Sequence, residues 1–133
     1  MIRRFSLFDL KSKYDEETLE SATEYLERVR DWILWQRPDR EKLFESYFRE
    51  RWELFLVLAA ALVDSLKSGR GAKASIEHAI DGLHKALAME AGENLRLHDE
   101  CDRWIAKRSR FLRGVSVHIV RMARKDGFDA RPD

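Results

Sequence analysis

The sequence contains few of the residues that cross-link chains or interrupt helices. It has one cysteine, two prolines and six glycines among its 133 residues. Because Cys101 has no second cysteine to pair with, an internal disulfide is excluded, and a reducing, cytoplasmic setting is predicted. The scarcity of proline and glycine leaves long stretches in which a helix can continue without a break.

Long hydrophobic runs are also missing. The longest apolar stretch, Leu54 to Val63, is roughly half of the ~20 residues that a membrane-spanning helix needs. Asp9, Lys11 and Lys13 interrupt the apolar segment near the N-terminus, so no secretory signal is predicted. We therefore expect a protein that works without a membrane partner.

The residues that are present are typical of a folded helical protein. The chain is 44% hydrophobic and 37% charged, with a formal net charge of +1 and four tryptophans, which disfavours disorder. A chain of 133 residues suits one hydrophobic core, so residues 1–133 are predicted to form a single domain.

Apolar residues recur with the three- and four-residue spacing of helices. The pattern predicts four main helices at about residues 15–37, 40–68, 72–91 and 94–126. Acidic residues after Asp15 suit a helix start, Pro38 ends the first helix, and Asp39 is the predicted N-cap of the second. The expected fold class is all-α, a single-domain antiparallel bundle of four main helices.

The chain ends and one glycine complete the expected architecture. Residues 1–14 are predicted to be an apolar N-terminal arm that packs across the bundle or docks on another subunit. Residues 129–133 are predicted to be a loose tail. Gly82, inside the third predicted helix, indicates either a close helix crossing or simple tolerance of glycine.

Charge is distributed unevenly along the chain. From Arg103 to Lys125 there is no acidic residue, and at 100° per residue the basic side chains of this segment other than Arg108 share one side of the helix. The predicted basic row comprises Arg103, Lys107, Arg110, Arg113, Arg121, Arg124 and Lys125. Such a row can bind the phosphate backbone of RNA or single-stranded DNA, contact an acidic protein surface, or be merely solvated.

The first predicted helix has the opposite bias. Its acidic row comprises Glu16, Glu20, Glu24, Glu27 and Asp31. Two complementary rows on one chain suggest self-association, either head-to-tail or symmetric. Alternatively, both rows border one groove within a single chain, if the first and last helices are neighbours.

Three further side chains have unusual predicted positions. Arg108 falls on the apolar side of the last helix, so it must be paired or extend outward, and Asp64 is the candidate partner. Trp32 and Trp35 straddle the apolar seam of the first helix, where an exposed tryptophan would be an interface anchor.

Arg113 and His118 have the spacing Arg-x4-His. This spacing resembles the motif of HEPN ribonucleases, which are small helical bundles that use an arginine and a histidine at an RNA-cleaving site. The resemblance covers chain size, helicity and this one spacing. It implies RNA cleavage with Arg113 and His118 as catalytic residues.

No other pattern points to chemistry. Asp81 and His84 fall on the solvent side of the third predicted helix, so no metal site is expected, and no cofactor-binding motif is present. The leading hypothesis is a non-enzymatic helical interaction or assembly subunit that binds another protein or a second copy of itself. The alternative is sequence-nonspecific RNA or single-stranded DNA binding through the basic row, and a HEPN-like ribonuclease is the third hypothesis.

Overall fold

Six α-helices make up the described part of the chain. The computed structural model describes residues 7–90 and 95–128, with the side chains of residues 10–85, 103 and 106–128. The helices are α1 (Leu7–Lys13), α2 (Glu16–Gln36), α3 (Glu41–Glu50), α4 (Trp52–Lys67), α5 (Ala72–Glu90) and α6 (Leu95–Lys125), with a 3-10 turn at Pro38–Arg40. The all-α class is confirmed for these residues.

Helix α2 begins and ends where the sequence predicts. The Asp15 side chain caps it by accepting a hydrogen bond of 2.7 Å from the Thr18 amide. The helix stops at Gln36, just before the Arg37–Pro38 step, where the proline ring disfavours helical backbone in the preceding residue.

The single predicted helix over 40–68 is wrong, because the chain divides into α3 and α4 at Arg51. This residue leaves the helical region with φ −117° and ψ 19°, although neither glycine nor proline is present there. The guanidinium of Arg51 lies 4.7 Å from the ring of Tyr47, and Tyr47 and Phe48 pack with Phe55 and Phe111 in one aromatic cluster. Packing of these rings across the break provides the physical reason for it.

The predicted N-cap Asp39 is also wrong. Asp39 lies inside the 3-10 turn, and α3 begins after Arg40 without a side-chain cap. The Asp39 carboxylate instead forms exposed ion pairs with Arg37 at 3.5 Å and with Arg40 at 3.9 Å. The charged neighbours therefore satisfy the carboxylate that was expected to cap the helix.

Helix α4 forms the centre of the core. Every residue from Phe55 to Val63 is buried, as its continuous apolar sequence predicts. The helix packs against α2, α5 and α6, which cover it on most sides. A four-residue connection, 68–71, joins α4 to α5, and within it Gly69 has φ 86°, a conformation that favours glycine.

The structure tests the expectations for part of the N-terminal arm and for Gly82. Residues 7–13 of the predicted arm form α1, whose Leu10 is buried in the core. Residues 1–6 and the predicted tail 129–133 lie outside the described residues. The side chain of Cys101 also lies outside them. No heavy atom lies within 4 Å of a Cβ built on Gly82, so simple tolerance, not a close crossing, explains this glycine.

Specific contacts give the directions of the helices around α2. Lys67, at the end of α4, pairs with Asp15 at 3.2 Å, and Arg30 lies 5.4 Å from the Trp52 ring, so α2 and α4 run in opposite directions. The hydroxyl of Tyr25 donates to Asp126, so α2 lies beside the C-terminal end of α6. Among the described residues, we find no helix with both the length and the apolar character needed to span a membrane.

Candidate interaction surface

The basic row of α6 lies on the outside of the molecule. Opposite it, Leu112, Val115, Ile119 and Ala123 are buried. Arg124 is half-buried, and the other members are exposed: Arg103, Lys107, Arg110, Arg113, Arg121 and Lys125. We call these seven residues the basic face. At 1.5 Å per residue it extends for about 33 Å along the helix.

Carboxylates in the described part of the chain do not neutralise the exposed members of the basic face. None of its six exposed members forms an ion pair within 4.0 Å among the residues described. Exposed arginine and lysine side chains held on one helix can therefore meet an external anion without first breaking an ion pair to another described residue. The basic face is thus available to an acidic partner or to phosphate.

The acidic row of α2 is also exposed, and opposite it Leu19, Ala22, Leu26 and Val29 are buried. We call the following residues the acidic face: Glu16, Glu20, Glu24, Glu27 and Asp31. Its ion pairs are local, from Glu24 to Arg28 at 4.0 Å and from Asp31 to Arg30 at 3.2 Å. Although α2 and α6 are neighbours, no ion pair joins the acidic face to the six exposed members of the basic face among the described residues.

Two tryptophans lie near the boundary between these faces. Trp35 is 76% exposed and Trp32 is 45% exposed, which is unusual for the largest apolar side chain. The Trp32 ring packs on His118 of α6 with a centroid distance of 4.3 Å. This contact places Trp32 and His118 on the line where α2 meets α6.

A second feature of α6 is the groove that it forms with α5, which encloses about 320 Å³. The groove is lined by Ala72, Lys73, Ile76, Glu77, Arg113, Val117, Val120, Arg121 and Arg124. Four cationic side chains thus surround a partly apolar floor, with a single carboxylate. The sequence pattern missed the contribution of Lys73, because that residue belongs to a different helix from the basic face.

Arg113 and His118 do not converge on one site. Arg113 lines the groove toward α5, whereas His118 is half-buried against Trp32 of α2. Burial, followed by the positive charge of Arg121, holds the pKa of His118 below its usual range. The histidine is therefore mainly neutral at pH 7, and its ring contacts an aromatic side chain.

Arg108 contacts an aromatic ring instead of the predicted carboxylate. Its guanidinium lies 5.5 Å from the ring centroid of Tyr47, which is in the last turn of α3, just before α4 begins. Asp64 is exposed near the other end of α4, where its charge contributes to the raised pKa of Tyr14. The prediction that Asp64 is the partner of Arg108 is therefore wrong.

No group of three or more His, Cys, Asp or Glu side chains within the described ranges is placed to hold a metal ion. Comparison of the chain with family models, curated proteins and solved structures returns no match. The exposed tryptophans and the two charged faces are therefore the features of the described surface that indicate a function.

Proposed function

We propose that this protein is a non-enzymatic helical interaction or assembly subunit, which binds another protein through the outer surface of α2 and α6. The observation that carries the proposal is the 76% exposure of Trp35 beside two charged faces of opposite sign. An aromatic anchor with a charged surround is the usual composition of a protein-binding surface.

Trp35 supplies the affinity in this proposal. Complete burial of a tryptophan removes about 200 Å² of surface from water, worth about 5 kcal/mol at the usual coefficient. The isolated chain leaves most of this ring in water. Among the described residues, a partner that covers Trp35 would therefore gain more from this side chain than from any other exposed apolar one.

The charged faces supply orientation and association rate. Exposed charges contribute little net affinity, but they steer encounter and disfavour partners of the wrong sign. An acidic partner would meet the basic face and a basic partner the acidic face. We therefore expect the association rate of the complex to fall as salt is added, while the contact with Trp35 persists.

The experiment is a pull-down from cell lysate with the immobilised protein, in which the captured partner is crosslinked to it. The pull-down is done with and without nuclease. Trp35→Ser should abolish capture, whereas Leu43→Ser is the matched control, because Leu43 is also exposed, at 59%, and lies on α3. Nuclease should have no effect. Capture that survives Trp35→Ser, or that disappears on nuclease treatment, contradicts the proposal.

The second candidate function is sequence-nonspecific binding of RNA or single-stranded DNA along the basic face. It is supported by the six exposed cations of the basic face, which form no ion pair with another described residue, and by Lys73, which extends the cationic surface into the α5–α6 groove. Each phosphate contact adds affinity by releasing counterions, whatever the base sequence.

The ribonuclease hypothesis has less support. A catalytic arginine and histidine must act on the same phosphate, yet Arg113 and His118 contact opposite neighbours of α6. We expect purified protein to leave RNA intact. Cleavage that is lost in both Arg113→Ala and His118→Ala, with folding preserved, would restore this hypothesis.

We further propose that the chain is a single domain in which α2, α4, α5 and α6 form an antiparallel four-helix bundle. The opposite directions of α2 and α4, and the short connection of α4 to α5, support this arrangement. With its lone cysteine, the protein is expected to act in the cytoplasm.

A further inference from the structure

We propose that the partner is a second copy of this chain, bound in a two-fold dimer in which Trp35 of each copy covers Gly114 of the other. This inference rests on the proposed function, because it names the partner of the same surface. It follows from the register of α2 on α6, from the space at Gly114 and from charge complementarity.

The register of α2 against α6 is defined by two contacts. Tyr25 is hydrogen-bonded to Asp126, and Trp32 packs on His118, so residue numbers rise along α2 as they fall along α6. Because both helices rise by the same ~1.5 Å per residue, three further residues along α2 correspond to three fewer along α6. Trp35 is therefore at the height of residues 115–116, which is within about 3 Å of Gly114 along the helix.

Gly114 provides space at this height. It is exposed, and no heavy atom lies within 4 Å of a Cβ built on it. At 100° per residue it falls in the middle of the basic face, between the directions of Arg121 and Lys125. The α6 surface thus has a shallow notch without a side chain, surrounded by cations that can contact an aromatic ring.

A two-fold axis parallel to the helices unites these features. Because α2 and α6 lie side by side in opposite directions, an axis of this kind, placed in the plane where the two copies touch, puts α2 of each copy over α6 of the other. Rotation about an axis parallel to the helices leaves heights unchanged. The indole of Trp35 in one copy therefore reaches the height of Gly114 in the other.

The same rotation brings opposite charges together. By the register above, Asp31 is at the height of residue 119, and Glu27 at the height of residue 123. In the dimer these carboxylates face Arg121 and Lys125 of the other copy, twice by symmetry. A head-to-tail contact would shift α2 along α6 and move Trp35 away from the height of Gly114, so the observations favour the closed dimer.

The test is sedimentation velocity of the full chain over a concentration series at low salt. Wild type should form a dimer, and Gly114→Gln should weaken it at least about tenfold by filling the notch. The matched control is Gly82→Gln on α5, which also has an open Cβ direction and should leave the dimer unchanged. Both changes replace glycine inside a helix, so neither is expected to unfold the protein.

Charge exchange provides the second arm of the test. Asp31→Lys and Arg121→Glu should each weaken the dimer, and the double variant should restore it, because the cross-copy pairs are re-formed with reversed signs. Trp35→Ala should weaken the dimer at least as much as Gly114→Gln.

Three outcomes overturn the inference. They are a wild-type protein that stays monomeric, a dimer indifferent to Gly114→Gln, and polymers that grow with concentration, as a head-to-tail contact requires. The proposed function fails separately: a monomer that still captures a different protein through Trp35 contradicts the second-copy partner alone. A monomer with no Trp35-dependent partner contradicts both.

Discussion

The hydroxyl of Tyr25 donates a hydrogen bond of 2.5 Å to the carboxylate of Asp126, which ties the middle of α2 to the end of α6. Asp126 directly follows the last turn of α6, where Gly127 has φ 95° and the Phe128 amide donates to the Ala123 carbonyl at 2.9 Å. This hydrogen bond and the Trp32–His118 contact define the register on which the candidate interaction surface depends.

The first prediction concerns this hydrogen bond. Tyr25→Phe should lower the free energy of unfolding by about 1–2 kcal/mol, because it removes a bond to a charged acceptor from a side chain that is 1% exposed. Denaturant unfolding with a constant m-value measures the change.

The same variant should alter the alkaline pH dependence. Burial, then the hydrogen bond and charge of Asp126, raise the pKa of Tyr25 above its ordinary 10.0. The stability contributed by neutral Tyr25 is thus complete below pH 10.0 and is lost as the pH rises further. Tyr25→Phe should lose less stability in that range, while Tyr14, whose pKa is raised to about 12, retains its own contribution. Identical alkaline profiles would contradict the prediction.

The second prediction concerns the cap of α2. Hydrogen bonds from the Thr18 amide, the Thr18 hydroxyl and Lys67 lower the pKa of Asp15 to about 2. Because this folded-state pKa is below the ordinary 3.8, the contribution to stability is present above pH 3.8 and is lost as the pH falls toward 2. Asp15→Ala should lower the melting temperature at pH 7 and flatten this acid dependence. Asp15→Asn, which keeps a capping oxygen, should retain more of the stability.

The third prediction separates the two suggested partners of Arg108. Arg108→Met should cost about 1 kcal/mol, because the half-buried guanidinium contacts the Tyr47 ring and no buried carboxylate is left unpaired. Asp64→Asn should leave the free energy of unfolding unchanged. If Asp64→Asn instead destabilises the protein by several kcal/mol, the contact with Tyr47 is not the one that matters.

The fourth prediction concerns α4. Its buried segment from Phe55 to Val63 should exchange amide hydrogens most slowly, since these amides open only with the whole domain. Leu58→Ala should cost about 3 kcal/mol, because Leu58 has 0% exposure and leaves a cavity. Leu43→Ala, at an exposed position on α3, should change stability by less than about 0.5 kcal/mol. Rapid exchange through α4 would be inconsistent with this core.

The fifth prediction tests the basic face against nucleic acid. If it binds single-stranded RNA, the logarithm of the binding constant falls linearly with the logarithm of the salt concentration. The magnitude of this slope should decrease by about 0.7 for each phosphate contact removed. Arg103→Ala and Lys107→Ala are the informative variants, because both residues lie about two or more turns of α6 from Gly114, outside the region that the proposed dimer covers. Absence of RNA binding at low salt would leave only the protein-binding role for this face.

Local patterns in the sequence predicted much of the fold. Spacing of three and four residues located α2, α5 and α6, and the apolar run predicted that α4 is covered on most sides. The members of each charged row were predicted to share one side of their helix, and each row lies opposite buried residues. These features could be read from the sequence because a helix repeats every 3.6 residues, so the side on which a residue lies depends only on nearby sequence.

Contacts between distant segments were decided by the tertiary structure. The break at Arg51 arises from aromatic packing onto α6, and Arg108 contacts Tyr47, a residue of a different helix. Likewise, Trp32 meets His118, and Trp35 comes close to the height of Gly114, only because α2 and α6 pack in one register. Helical periodicity cannot determine that register, because sliding one helix along another leaves every residue on the same side of its own helix. It is set by the interdigitation of side chains from segments far apart in the chain.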